Sequence, residues 1–164
     1  MIEPLSIIID SREQTPWAWD PSDAVTRIGG LAAGDYALES DCERVKGRSM
    51  LAVRFSLERK SLDDFLGTIS TGWERFLREL TRMEAFPARV VIVEGDFDQV
   101  CFRDETGELV PPDHSHPRLT PSFISRRIAE LTMMQVSVLL AGNAGYAAAL
   151  ALRLFRRRAD LCQP

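Results

Sequence analysis

The chain has 164 residues, 45% hydrophobic and 27% charged, which suits one globular domain (1–164) with a core of its own, and nothing in it suggests a second. A net charge of −4 and a pI near 5.3 exclude a passive, uniformly basic nucleic-acid binder. The apolar stretch 136–152 is cut by Gly142-Asn143-Ala144-Gly145, and so reads as strand, turn and helix and not as a membrane span.

Residues 5–9 are a short apolar, β-branched run ending at Asp10, the pattern of a central strand. Residues 11–24 carry Pro16, Trp17, Trp19 and Pro21 and read as a loop, whose aromatics either pack onto the core or stack on unpaired bases. Strands follow at 25–28 and 35–38, around the Gly29-Gly30 and Gly34 breaks, and 42–49 is a polar turn. From there Leu51, Val53, Phe55 and Leu57 alternate with Ala52, Arg54, Ser56 and Glu58, the period of a half-buried strand. That period places Glu58 and Lys60 on the same face.

Ser61 caps a helix with Leu62, Phe65, Leu66 and Ile69 along one side. Thr71 and Glu74 fit a capping box for a second helix that buries Trp73, Phe76, Leu77, Leu80 and Met83. The apolar run 88–93 is a buried parallel strand next to the first one. Residues 103–119, with Pro111, Pro112, Pro117, His114 and His116, form a long polar loop, the two histidines being read as solvent-exposed and not as metal ligands. Thr120-Pro121 opens a helix with Ile124, Ile128 and Leu131 inward, 136–140 is a strand, and Asn143 caps a last helix running to about Arg158. The first half of that helix is apolar almost all round, which predicts burial on more than one side, in the core or in a homodimer through 144–158. Arg156-Arg157-Arg158 suit the helix macrodipole. Strands alternating with helices after residue 50 define an α/β fold. Cys42, Cys101 and Cys162 are odd in number, lack C-x-x-C spacing and follow no signal peptide, which predicts a soluble protein of a reducing cytoplasm.

The chemistry follows from charge. If Asp10, Glu13, Asp35 and Glu58 converge, each close pair at ~4 Å repels by roughly 4 kcal/mol at an effective dielectric near 20. Lys60 alone cannot neutralise such a cluster, whereas a divalent cation can, and carboxylate oxygens favour a hard ion such as Mg²⁺, with Mn²⁺ as substitute. Such an ion polarises a phosphodiester and lowers the pKa of an attacking water. Lys46 and Lys60 are the only lysines in an Arg-rich chain. A compact point charge differs from a planar fork at a catalytic position, so Lys60 is read as required.

Asp10-Ser11-Arg12-Glu13, Gly34-Asp35-Tyr36 and Glu58-Arg59-Lys60 followed by Asp64 resemble, in order, spacing and strand context, the motif of the XPF-type structure-specific DNA endonucleases, a branch of the PD-(D/E)XK superfamily. The resemblance continues through the Arg75 helix, the strand at 90–95 and the Ala141-Gly142-Asn143 turn. It implies a restriction-endonuclease-like mixed central sheet flanked by helices and a metal-dependent endonuclease acting on branched, flap or fork duplex DNA in repair, recombination or phage genome processing. In it Asp35 and Glu58 would ligate the metal, Asp10 and Glu13 would complete the acidic cluster, with Asp10 also a ligand, Lys60 would be the catalytic lysine, and Arg59 would belong to the active-site signature. Family members usually act as dimers. No helicase region or tandem helix-hairpin-helix module accompanies the motif, so a stand-alone bacterial or phage enzyme, or one directed by a targeting partner, is expected. The alternative is a non-catalytic DNA-binding or dimerising partner with the same fold.

Several positions have a second reading. Asp64, three residues after Ser61, fits a capping box as well as the motif. Arg12 joins the motif as a DNA contact. Arg75, Arg78 and Arg82 share a helical face that either tracks DNA phosphates or forms a solvated surface with Glu74 and Glu79.

Overall fold

Ten strands and five α-helices, with a 3-10 turn (Glu39–Asp41), make up the described part of a computed structural model, which covers residues 3–47, 49–100, 102–103, 109–110 and 119–162. In chain order they are β1 (Leu5–Asp10), β2 (Ala24–Gly29), β3 (Tyr36–Leu38), β4 (Cys42–Arg44), β5 (Leu51–Val53), β6 (Leu57–Ser61), α1 (Leu62–Ile69), α2 (Trp73–Arg82), β7 (Arg89–Glu94), α3 (Phe97–Val100), β8 (Phe102–Arg103), β9 (Leu109–Val110), α4 (Pro121–Met133), β10 (Val136–Leu140) and α5 (Ala144–Cys162). Six strands form the central sheet in the order β10-β7-β6-β3-β1-β2. The pairs β1/β2, β6/β7 and β7/β10 are parallel, while β3 runs antiparallel to both β1 and β6. The sheet is therefore mixed and flanked by helices, as expected.

Alternation along β7 shows how the layers are built. Val90 and Ile92 pack with Ile7, Ile9, Tyr36 and Leu57 against Ala147, Ala148, Ala151 and Phe155 of α5. Val91 and Val93 point the other way, to Phe65, Leu66, Ile69, Phe76, Leu80, Ile124 and Leu131 of α1, α2 and α4. A strand covered on both faces must be apolar at every position, hence the continuous run in the sequence. Each such side chain, once buried, contributes about 1.5–3 kcal/mol.

Some expectations are corrected. The strand from Leu51 to Glu58 is two strands, because residues 54–56 leave the ladder: Ser56 is fully buried and its hydroxyl donates to the Ala33 carbonyl at 2.9 Å. β5 pairs instead with β4 in a separate two-stranded ribbon, so residues 42–44 are strand and not turn. The strand at β7 lies beside β6 and β10, with β6 and β3 between it and β1. Thr71 makes no capping box. Gly72 is the N-cap of α2 without a side-chain hydrogen bond, and the Thr71 hydroxyl donates to the Gly67 carbonyl at 3.5 Å. In the loop expected at 103–119, Arg103 and Leu109–Val110 belong to a short hairpin with Phe102, whereas His114 and His116 lie outside the described residues.

The last helix runs to Cys162 and buries one face only: Ala149 and Tyr146, the latter 70% exposed, face outward. Its arginines do more than meet a dipole. Arg158 holds the buried Asp41 with two hydrogen bonds at 2.8 and 3.0 Å, and Arg156 pairs with Asp23 at 2.7 Å. They tie α5 to the N-terminal half of the sheet. Trp17 is buried and stacks on Tyr36 with ring centres 4.6 Å apart, so the aromatic loop packs onto the core. No described helix is long and apolar enough to cross a membrane.

Candidate active site

Gly34 creates the bend that delivers Asp35. Its φ is +72°, and a Cβ there would lie 2.1 Å from the Ser56 hydroxyl oxygen, so only glycine fits between these segments. The Asp35 backbone is then held from both sides. Its N–H donates to the Leu57 carbonyl at 2.8 Å, and its carbonyl accepts from the Asp10 N–H at 2.7 Å. The side chain accepts the Arg59 backbone N–H at 2.7 Å. Asp35 therefore meets the entry of β6, where Glu58 and Lys60 emerge on one face as the alternation predicts.

Asp35, Glu58 and Lys60 line a cavity of about 180 Å³ together with Arg12, Ala33, Gly34, Arg75, Glu79, Arg82 and Met83. The Lys60 ammonium donates to Glu58 Oε1 at 2.7 Å and lies 5.8 Å from the centre of the Phe76 ring. Burial works against the Lys60 charge, but attraction to Glu58 more than offsets it, and the amine is held above its ordinary pKa. Lys60 is thus a fixed cation and not a neutral base. Asp35 shows the opposite effect: burial first, then repulsion from Glu58, push its carboxyl up to about 7. One lysine leaves this carboxylate pair with surplus negative charge.

Asp10 and Glu13 are not brought into the pair, which corrects the expected four-carboxylate cluster. Asp10 is fully buried and spent on local bonds, accepting Arg12 N–H at 2.9 Å, Arg12 Nε at 2.6 Å and Leu31 N–H at 2.7 Å. Burial opposes its charge, yet these donors hold its carboxyl below the usual range. Glu13 turns to Arg59 Nη1 at 3.0 Å and the Thr15 N–H at 3.0 Å. Among the described residues no three His, Cys, Asp or Glu side chains come together as a metal centre. Asp35 and Glu58 are the carboxylates that would hold a small hard cation, which prefers oxygen ligands. The surplus charge at Asp35 and Glu58 favours such an ion.

Arg59 points to the opposite face of the sheet. Its guanidinium binds Glu94 through Nε at 2.8 Å and Nη2 at 2.7 Å, as well as Glu13 and the Thr15 hydroxyl. Glu94 was not singled out by the sequence; a carboxylate at the end of the 88–93 run, directly before Gly95, was the available signal. Among the expected DNA contacts, Arg12 and Arg75 border the cavity with side chains 65% and 73% exposed. Arg75 Nε lies 4.0 Å from Glu79, so the helix surface is both salt-bridged and cationic. Arg78 is exposed outside the cavity lining, where Arg82 appears instead. A second groove of about 510 Å³ along Asp63, Asp64, Gly67, Thr68, Thr71 and Gly72 shares Lys60 and Arg75 with the first. Asp64 takes the capping role: its N–H donates to Ser61 Oγ at 3.1 Å, and the Ser61 hydroxyl donates to its carboxylate at 2.8 Å.

The fold is an α/β domain with a mixed sheet between helix layers, and two carboxylates and a lysine meet where β3 reaches β6. Residues 9–153 match the ERCC4 domain, and the chain belongs to that family. The fold is similar to that of XPF from Aeropyrum pernix, with a TM-score of 0.61 at 20% identity, covering 94% of this chain and 67% of that one. None of the curated proteins compared matches the sequence.

Proposed function

We propose that the protein is a divalent-metal-dependent endonuclease that hydrolyses phosphodiester bonds in duplex or branched DNA. The observation that carries the reading is the Asp35–Glu58 pair, whose surplus negative charge is left uncompensated by Lys60 inside a cation-rimmed cavity. A domain with only a binding role gains nothing from retaining that repulsion. Asp35 and Glu58 would hold Mg²⁺ or Mn²⁺, which when bound supplies Lewis-acid polarisation of the phosphate and acidification of a water. Lys60, charged at working pH, orients the attacking water and stabilises negative charge developing on the phosphoryl oxygens. Arg12, Arg75 and Arg82 at the rim carry the DNA backbone, with Arg78 further out along α2. Asp10, Glu13 and Arg59 shape the site from its margins; Asp10 fixes Arg12 and the 29–31 turn and does not act as a ligand. A second copy would use the outward face of Tyr146 and Ala149 on α5, and a targeting partner would supply choice of junction.

Incubation with end-labelled flap, fork, linear duplex and single-stranded DNA, with Mg²⁺, Mn²⁺ or EDTA, tests the reading. Cleavage is expected only with metal, and Lys60→Ala is expected to lower its rate by about 10²–10³-fold. Absence of cleavage on every substrate, with DNA binding equal in both proteins, would make the domain a non-catalytic binding partner. Light scattering that shows a strict monomer at all concentrations would remove the α5 dimer.

A further inference from the structure

Glu94 receives three N–H donors from two distant segments. Trp17 Nε1 reaches its Oε1 at 2.6 Å, Arg59 Nε reaches the same oxygen at 2.8 Å, and Arg59 Nη2 reaches Oε2 at 2.7 Å. The carboxylate is nearly buried, with 11% of the side chain exposed. Both of its partners touch the catalytic strands. Trp17 stacks on Tyr36, and its backbone N–H donates to the Tyr36 hydroxyl at 2.9 Å, one residue from Asp35. Arg59 lies between Glu58 and Lys60, and its backbone N–H holds the Asp35 carboxylate at 2.7 Å.

We propose that Glu94 is a positioning residue which, from the reverse face of the sheet, fixes the separation and orientation of the Asp35–Glu58 pair. The proposal rests on the nuclease reading above. Strand alternation sends Arg59 to the α5 side while Glu58 and Lys60 emerge on the other, so Glu94 never meets substrate. It acts through two levers, one on each half of the site: Trp17 on the 35–36 segment and Arg59 on the 58–60 segment. Arg59 meets both Glu94 oxygens with two parallel N–H bonds, the bidentate geometry of a charge-assisted pair. A glutamine cannot replace it. With three donors converging on two oxygens, either orientation of the amide turns its NH₂ toward an N–H of Arg59.

The test compares the unsubstituted protein with Glu94→Gln, Glu94→Asp and Phe155→Leu, the last a change in the apolar core beneath α5 that removes no hydrogen bond of the network, with temperature chosen so that its folded fraction matches that of Glu94→Gln. Two quantities are read: Mn²⁺ affinity by direct titration, and kcat and KM for cleavage of fork DNA. Glu94→Gln is expected to weaken Mn²⁺ binding and lower kcat by about 10–100-fold each, with KM for DNA unchanged. Glu94→Asp, which keeps the charge but not the reach, falls between, and Phe155→Leu retains both quantities. Retention of Mn²⁺ affinity and kcat in both Glu94 variants, or equal losses in Phe155→Leu, would overturn the positioning role while leaving the nuclease reading intact. Failure of the unsubstituted protein to bind Mn²⁺ and to cleave would remove both.

Discussion

Asp35→Asn is expected to unfold at a higher urea concentration than the unsubstituted protein at pH 8, while cleaving DNA about a thousandfold more slowly or worse. The two effects have one cause. Burial and Glu58 raise the Asp35 pKa from 3.8 to about 7, so between those values the folded chain binds a proton that the unfolded chain has released. Stability contributed by the protonated group is complete below 3.8 and is lost as pH rises through about 7. From pH 5.5 to pH 8 this group alone lowers stability by about 2 kcal/mol. Asparagine has no such titration, and its side-chain oxygen still accepts the Arg59 N–H, so the Asp35→Asn profile should lack that slope. Addition of Mn²⁺ should flatten the slope of the unsubstituted protein, because a bound cation supplies the missing positive charge. Urea titrations at the two pH values, with and without Mn²⁺, check this; equal slopes in both proteins would mean that Asp35 is ionised without cost.

The second large effect lies far from the cavity. Arg158→Met should destabilise the fold by about 3–5 kcal/mol, because it leaves the Asp41 carboxylate buried without its main partner. The carboxylate is 4% exposed, and the nearest remaining cation, Arg54, is 3.7 Å away on a side chain 59% exposed. Methionine preserves the aliphatic contact along α5, so the loss reports charge and hydrogen bonding. Asp41→Asn costs less, since the freed guanidinium is 19% exposed and can reach water. Combining the two substitutions should recover most of the stability lost in Arg158→Met. Urea denaturation of the three variants makes the comparison, and strictly additive losses would show that the pair is not coupled.

Most of the candidate site's geometry was legible because it is local. Period-2 alternation puts Glu58 and Lys60 on one face, and Gly34 marks the bend that presents Asp35. The break at 54–56 was not legible, since the apolar alternation passes through it unchanged; what ends the strand is the burial of Ser56 beside Gly34 and Ala33, segments over twenty residues earlier. The convergence of Asp10 and Glu13 on the pair was expected from the motif, yet nearby donors claim both side chains. Glu94 escaped notice because its meaning depends on Trp17 and Arg59, 77 and 35 residues away.

The sequence by itself determined the α/β class, the start of most helices and the face shared by Glu58 and Lys60, because caps, glycine bends and side-chain periodicity act over a few residues. Only the tertiary structure decided the strand order, the two-carboxylate site in place of four, the single buried face of α5 and the clamp behind the sheet. Each of these depends on which distant donor reaches a carboxylate or which layer covers an apolar face, a choice made by packing between segments that the chain brings together only when folded.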